Sequence, residues 1–373
     1  MIPCLDEEEG IGQVIEEARA ALAAADLDGE LIVVDNASTD ASAEIARRAG
    51  ARVVYEPRRG YGSAYLAGLA AARGTYIVMT DADGTYPIES LAEFVGRLRD
   101  GADLVIGNRF KGTIAEGAMP WPNRYIGNPL LSGMLNLFFR SGVSDAHCGL
   151  RALRREAVDK LGLQATGMEF ASEMVIKAGK RRLRIDEVPI DYRPRIGRSK
   201  LSRFNDAWRH VRFMLVQSPT FLFVVPGAAA VVVGLALLVF LASDPILGEP
   251  GTGVAMGSGV LTLIGAQVVM LGLFARTYGI VYLGESDSRL ERAWRRLRLE
   301  HGLLASACVL AAGVVVTLTS YFDAARDPRL GMLGLTLVAL GIQGIFASFF
   351  LSILGLSEHA IVRRRSTSDP EPR

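Results

Sequence analysis

Four long apolar segments, Phe221 to Ala242, Met256 to Tyr282, Gly302 to Phe322 and Met332 to Leu356, constrain this chain more than any other feature. Each reaches the ~20 residues needed to cross a ~30 Å hydrocarbon core, and the core helices of a soluble protein rarely need uncharged runs of that length. The pattern predicts four transmembrane helices. Arg276 is the one charge inside them and lies near the end of its span, where its stem lets the head snorkel to the interface.

The short loops fix an expected orientation. Arg289, Arg292, Arg295, Arg296 and Arg298 separate the second and third spans, and Arg363, Arg364 and Arg365 follow the fourth. No basic residue separates the first and second spans, and only Arg326 and Arg329 separate the third and fourth. The positive-inside rule then puts the N-terminal region and the C-terminus in the cytosol, with a bacterial plasma membrane as the expected setting. No cleavable signal is expected, since Met1 runs straight into Ile2, Pro3 and an acidic cluster. Cys4, Cys148 and Cys308 are scattered without metal-binding or pairing spacing, which points to a reducing compartment and no structural zinc.

Residues 1–218 carry charge throughout. The whole chain balances 41 basic against 40 acidic side chains, so nothing in the charge suggests a nucleic-acid partner. Apolar runs at Glu30–Asp35, Arg52–Tyr55, Thr75–Thr80 and Asp103–Gly107 read as strands. Between them, Ile11, Val14, Ile15, Ala18, Leu22 and Ala25, and then Ile88, Leu91, Phe94, Val95 and Leu98, keep helical spacing. This alternation predicts an α/β domain with a doubly wound, mostly parallel sheet. Ligands of such sheets bind beyond the carboxyl ends of the strands, where Glu7, Asp35, Asp81, Asp83 and Arg109 fall.

Within YIVMTDADGTYP, Tyr76 to Pro87, a strand delivers Asp81 and Asp83 into a Gly/Pro turn. Carboxylates one residue apart at a strand end suit Mg²⁺ or Mn²⁺ bridging to substrate phosphates, although a bare Asp-x-Asp is also a common solvated turn. RGYGSAYLAG, Arg59 to Gly68, lacks the third glycine of a dinucleotide fingerprint and reads as a turn into a helix near the nucleotide. His147, between Asp145 and Cys148, reads as packing of its loop, since no second His or Cys completes a metal set nearby.

Six ordered blocks, IPCLDEEEGI, LIVVDNASTD, TDADGTYP, GNRF (107–110), DAHCGLRA (145–152) and RIGRSKL (195–201), resemble the polyprenyl-phosphate sugar transferases of glycosyltransferase family 2, the group that includes dolichol-phosphate mannose synthase. The resemblance covers nearly all of residues 1–218. It implies a GT-A (Rossmann-like) catalytic domain at 1–201, an interfacial helix or linker at 202–220, a four-helix transmembrane domain at 221–356 and a basic cytosolic tail at 357–373. It implies that Pro3, Leu5, Glu7, Val33, Asp35, Asp81, Ala82 and Arg195 bind the nucleotide sugar, and that Asp81 and Asp83 hold Mg²⁺ or Mn²⁺. Asp83, Arg109 and Lys200 take the catalytic places, the two cations meeting phosphate oxygens. Arg58, Arg59 and Arg124 carry less weight, since basic residues in Gly-rich loops are common without a ligand.

The expected reaction moves a hexose from a UDP- or GDP-linked donor to polyprenyl phosphate with inversion. A phosphate monoester, with its second ionisation near pH ~6, already presents an anionic nucleophile and needs no protein base. Arg124–Arg140, Ser202–Gln217 and Arg289–Glu300 mix bulky apolar and basic residues as headgroup-layer segments do. Met1 falls inside the expected first strand, so residues completing that sheet edge are expected upstream. Asp6, Leu5, Asn36 and Ala37 depart from the family pattern, which leaves the base unassigned. The alternatives are a processive polysaccharide synthase, whose Gln-x-x-Arg-Trp signature does not occur, and a non-catalytic nucleotide-sugar-binding membrane module. A homo-oligomer packed through Gly227, Ala230 and Gly234 is a further expectation.

Overall fold

The computed structural model describes residues 1–197, 203–243, 248–283, 299–322 and 328–366. The chain divides into two compact units, Met1–Met214 and Leu215–Arg373, and the division falls inside the stretch expected to be a linker. Lys200 lies outside the described residues, as do most of Arg289–Glu300 and the tail beyond 366.

The first unit runs β1 (Ile2–Cys4), α1 (Ile11–Ala24), β2 (Ile32–Asp35), α2 (Ser42–Arg48), β3 (Arg52–Tyr55), α3 (Tyr61–Ala71), β4 (Tyr76–Met79), α4 (Leu91–Arg99) and β5 (Leu104–Asn108). It continues with α5 (Asn128–Phe139), β6 (Arg151–Arg154), α6 (Arg155–Leu161), α7 (Phe170–Lys180), β7 (Ile185–Pro189) and α8 (Arg203–Val216). The apolar spacing read from the sequence is what the helices bury. Ile11, Val14, Ile15 and Ala18 form the inner face of α1, and Leu91, Phe94, Val95 and Leu98 that of α4.

Strands pair in the orders β1-β2-β3 and β4-β6-β5-β7. The β1-β2, β2-β3 and β5-β7 pairs are parallel, whereas β6 runs antiparallel to both β4 and β5. Met1 joins the two sets, its amine donating to the Val78 carbonyl (2.8 Å) and its carbonyl accepting from the Thr80 N–H (3.1 Å). The sheet is therefore mostly parallel, and β6 is the one strand against the grain. Its four residues begin inside the DAHCGLRA block and run two residues past it, too short a run for alternation to reveal. The core beneath the sheet is built from Phe94, Leu104, Ile106, Leu135, Leu150 and Phe170, all essentially without exposure.

The second unit holds α9 (Val225–Ser243), α10 (Gly248–Leu283), α11 (Leu299–Phe322) and α12 (Pro328–Ser366). Spans long and apolar enough to cross a membrane run over Thr220–Ser243, Gly251–Ile280, Leu299–Phe322 and Pro328–Leu354, within a few residues of the sequence reading. Hydroxyls inside these helices are satisfied locally: Ser258 donates to the Val254 carbonyl, Thr262 to Ser258 and Thr336 to Met332, each at 2.8 Å.

Helix association inside the unit relies on small residues, which let backbones approach where lipid gives apolar side chains no drive to associate. A Cβ on Gly227 would lie 2.8 Å from the Gly265 carbonyl oxygen, and one on Gly234 would lie 2.7 Å from the Ser258 carbonyl oxygen. Ala230 meets Gly265 from the same side. Gly227, Ala230 and Gly234 thus pack at the α9–α10 contact within one chain. On α11, Gly313 plays the same part against the α12 backbone at Val338 and Gly334.

Replacing Gly265→Leu forces a side chain to within 2.8 Å of the Val231 amide nitrogen. The expected outcome is a destabilisation of about 1–3 kcal/mol from overpacking, read as a lower midpoint in thermal unfolding of the purified protein in detergent.

Candidate active site

The site is assembled at the carboxyl ends of β1, β2, β4 and β5, with the stretch after β7 laid across it. Asp35 ends β2 almost fully buried, and its Oδ1 accepts from the Ser38 N–H at 3.0 Å. Glu7 follows β1 in a turn whose carbonyl receives the Gly10 and Ile11 amides, fixing the start of α1. Gly10 itself has to be small, because a Cβ there would lie 2.9 Å from the Ala82 carbonyl oxygen. This close approach seats the N-terminus of α1 on the turn that carries Asp81 and Asp83.

The two carboxylates have different surroundings. Asp81 Oδ1 accepts from the hydroxyls of Tyr61 (3.1 Å) and Tyr65 (3.3 Å), both on α3. Tyr65 is in turn stacked on Phe170, with ring centroids 5.4 Å apart. Asp83 Oδ1 is closed locally by the Thr85 amide (3.1 Å) and hydroxyl (2.6 Å), while Oδ2 faces Arg195 Nη1 at 3.3 Å. Arg195 also forms an ion pair with Glu7, so one guanidinium bridges the β1 turn and the β4 turn. Burial first, and then the Asp83 charge, push the Asp81 carboxyl up to about 7. Burial also holds the Tyr61 and Tyr65 phenols well above their usual value, so both stay O–H donors.

Gly149 closes the other side of Asp81. A Cβ there would lie 2.6 Å from Asp81 Oδ2, and the Gly149 N–H donates to Tyr86 Oη at 2.9 Å. The same turn carries Asp145, fully buried, which takes Arg109 in a fork: Nε at 2.7 Å, Nη2 at 2.8 Å and the Arg109 backbone N–H at 3.0 Å. Arg109 lies over the Tyr192 ring, 5.2 Å from its centroid. Its guanidinium is thus first a structural bolt between β5 and the 145–149 turn, with Nη1 left outside the fork.

The structure gathers Glu7, Asp35, Asp81, Asp83, Arg109 and Arg195 around one sheet edge, with Pro3 and Leu5 half-buried beside them. It does not bring every expected ligand-binding side chain there. Val33 and Ala82 are buried in a core cluster with Ile2, Ile11 and Ile15. Their side chains are core, because a motif position fixes a backbone path but not the direction of each side chain.

Four side chains have roles that were not read from the sequence. Tyr61 and Tyr65 stand one helical turn apart in RGYGSAYLAG, a spacing that marks a shared face. Asn36 ties the end of β2 to the 56–60 loop, donating to the Glu56 (3.0 Å) and Arg58 (2.8 Å) carbonyls and accepting from the Gly60 N–H (2.7 Å). His210 on α8 supplies the second histidine thought missing near His147, with ring centroids 4.5 Å apart. Both imidazoles are held neutral, chiefly by burial, with His210 drawn down to about 4. Cys148 offers no thiolate, since burial and then the Asp145 charge push it up to about 12.

Among the described residues no group of three or more His, Cys, Asp or Glu is built to hold a metal alone. The two carboxylates nevertheless fit Mg²⁺ or Mn²⁺, which commonly take one or two carboxylates and complete their shell with substrate phosphates and water. That a guanidinium already lies against Asp83 shows that the pocket favours a cation.

A parallel-sheet α/β domain with a charged, metal-competent edge, in a chain that also has four membrane-length helices, defines a membrane glycosyltransferase. Glycosyl transferase family 2 matches residues 1–162, and the family 2 C-terminal transmembrane region matches residues 273–355. The chain is 40% identical over 365 residues to the low-salt glycan biosynthesis hexosyltransferase Agl6 of Haloferax volcanii, covering 95% of this chain and 88% of that protein. It is 37% identical over 202 residues to the dolichyl-phosphate hexose transferase of the same organism, covering 53% of this chain and 84% of the relative. A solved glucosyl-3-phosphoglycerate synthase of Mycobacterium tuberculosis overlaps 58% of this chain and 78% of its own at 26% identity, with a TM-score of 0.47. The chain belongs to glycosyltransferase family 2.

Two outcomes follow from this geometry. Asp81 must be ionised to hold a metal, so protons compete below about pH 7, where its folded value lies. Mn²⁺ affinity measured by calorimetry should fall as pH drops, by up to about tenfold per pH unit, and should flatten above pH ~7.5, where Asp81 is ionised. Asp145→Asn leaves Arg109 buried without its counter-charge and is expected to cost about 3–5 kcal/mol, measured by chemical unfolding.

Proposed function

We propose that the chain transfers a hexose from a nucleotide sugar, UDP- or GDP-linked, to polyprenyl phosphate, inverting the anomeric centre. The observation that carries this reading is the Asp81/Asp83 pair facing the Arg195 guanidinium at the sheet edge, in a chain that also carries a membrane unit. The printed names of its relatives, one of which is a dolichyl-phosphate hexose transferase, support the acceptor class.

In this reading Asp35 and Glu7, with Pro3 and Leu5, line the nucleoside side of the pocket. Asp81 and Asp83 would hold Mg²⁺ or Mn²⁺, which when bound neutralises the diphosphate and favours its departure. Arg195 would exchange its carboxylate partners for phosphate oxygens, and the Nη1 edge of Arg109 would add positive charge to the same region, while Lys200, outside the described residues, keeps the phosphate role that the family resemblance implies. The acceptor phosphate is already an anionic nucleophile, so the protein supplies alignment and charge rather than a base. No side chain has to take the proton of an attacking hydroxyl.

The lipid acceptor is further supported by apolar side chains exposed on the first unit. Trp121, Tyr125, Ile126, Leu130 and Leu137 are all more than half exposed, and α5 buries Leu131, Ser132 and Leu135 on its opposite face. Trp208 on α8 is 55% exposed, between the exposed Arg209 and the buried His210. Aromatic and aliphatic side chains beside arginine suit a headgroup layer. In this reading the catalytic unit and C-terminus face the cytosol, the side favoured by the arginine-rich loops.

The test is transfer from labelled UDP- and GDP-sugars to polyprenyl phosphate in liposomes, with Mn²⁺ or Mg²⁺ against a chelator. A metal-dependent, organic-extractable product from one donor is expected, and Asp83→Ala should lower it by roughly a hundredfold or more while membrane insertion is retained. Undiminished product from Asp83→Ala would overturn the metal assignment.

A further inference from the structure

A polar relay lies outside the groups assigned to the reaction. Ser172, fully buried on α7, has its Oγ 2.8 Å from His210 Nδ1 on α8 and 3.2 Å from His147 Nε2 on the 145–149 turn. A serine hydroxyl has one proton, so it donates to one ring and accepts from the other. His147 Nδ1 is buried without a hydrogen-bond partner, and a bare ring nitrogen there costs less than an orphaned N–H. The assigned order is therefore His147 Nε2–H to Ser172 Oγ, and Ser172 O–H to His210 Nδ1. Both rings must be neutral for this relay, as burial keeps them.

The relay joins two parts of the fold that matter to the site. At one end, the 145–149 turn forks Arg109 through Asp145 and limits the space at Asp81 through Gly149. At the other, α8 is the helix that precedes the first membrane span. Met214 and His210, one helical turn apart, face the core, where Val211 and Phe213 also pack. Apolar packing holds a helix down but tolerates small slides, whereas a hydrogen bond to a ring nitrogen does not. Advancing α8 by one residue turns His210 through about 100° and breaks the bond.

We infer that His210 is a positioning residue for transfer: through Ser172 and His147 it fixes the register of α8 against the turn that shapes the Arg109 and Asp81 pockets. The inference rests on the lipid-phosphate transferase reading. In that reading the acceptor arrives from the membrane side, so the alignment of α8 bears on the acceptor step and not on nucleotide binding.

The experiment compares Ser172→Ala, His210→Leu and His210→Asn in the full chain in liposomes. Asparagine presents an amide where Nδ1 lies and is the conservative variant. Lipid transfer, nucleotide affinity by calorimetry and hydrogen exchange of the α8 amides are measured on each. Ser172→Ala and His210→Leu are expected to lower the kcat of transfer roughly ten- to a hundredfold, with nucleotide Kd within about twofold and faster exchange along α8. His210→Asn should recover most of the loss. Unchanged kcat in Ser172→Ala and His210→Leu overturns the inference. So does a parallel loss of nucleotide binding without rescue by asparagine, the signature of core packing. A wild-type chain that transfers nothing sinks the transferase reading instead. Exchange then still decides the joint, because unchanged α8 protection in Ser172→Ala overturns it.

Discussion

Two carboxylates held one residue apart at the mouth of a strand must be met by positive charge, and much of the first unit is arranged around that demand. Asp81 is raised by burial and by its neighbour, and two tyrosine hydroxyls only partly offset this. The remaining positive charge comes from Arg195, carried by a stretch that lies along the turn: the Arg193 amide donates to the Thr85 carbonyl, and the Ile196 amide donates to the Asp83 carbonyl, both at 2.9 Å. Gly84 makes this overlay sterically allowed. Its φ of +70° favours glycine, and a Cβ there would lie 2.9 Å from Ile196 Cδ1. The turn that presents the acidic pair and the segment that neutralises it are thus fitted to each other before any substrate arrives.

The local parts of this arrangement were legible in the sequence. Period-3.6 spacing placed α1 and α4, short β-branched runs placed β2 to β5, and the doublet of acids marked the end of β4, because each signal lies within one short stretch of consecutive residues. Non-local pairings were not legible. Nothing in RALR announces that β6 will run antiparallel between β4 and β5, and no spacing links His147 to a histidine more than sixty residues on. Side-chain facing was equally hidden. The side chains of Val33 and Ala82 lie in the core, and Gly227, Ala230 and Gly234 pack at the α9–α10 contact within one chain. A motif gives identity and order along the chain, while facing and partner are decided by tertiary packing.

Arg109 shows how a family position acquires its physical meaning only in three dimensions. Read from the sequence it is a free cation for phosphate. In the fold it is a buried arginine whose fork is filled by Asp145, with Tyr192 against its face. A buried ion pair of this kind contributes little net stability compared with apolar packing, and losing one partner is what costs most. Its value therefore lies in geometry: it locks the end of β5 to the 145–149 turn, and through Gly149 that turn limits how far the Asp81 carboxylate can swing. Among the described residues, it is Arg195, on the stretch after β7, that lies directly against Asp83.

This division of labour suits a reaction in which both partners carry phosphate. Bringing two anions together is opposed by their repulsion, so catalysis must come from cations whose positions do not relax as charge moves to the leaving group. A mobile lysine or arginine on an open surface would gain little, because water screens it and it must pay to order itself. Arg195 avoids both losses. It is only 22% exposed and already ordered by Glu7 and Asp83, so it has little conformational entropy left to lose in meeting a bound anion. The acidic pair that would hold the metal is, in the free protein, also the device that stores the arginine.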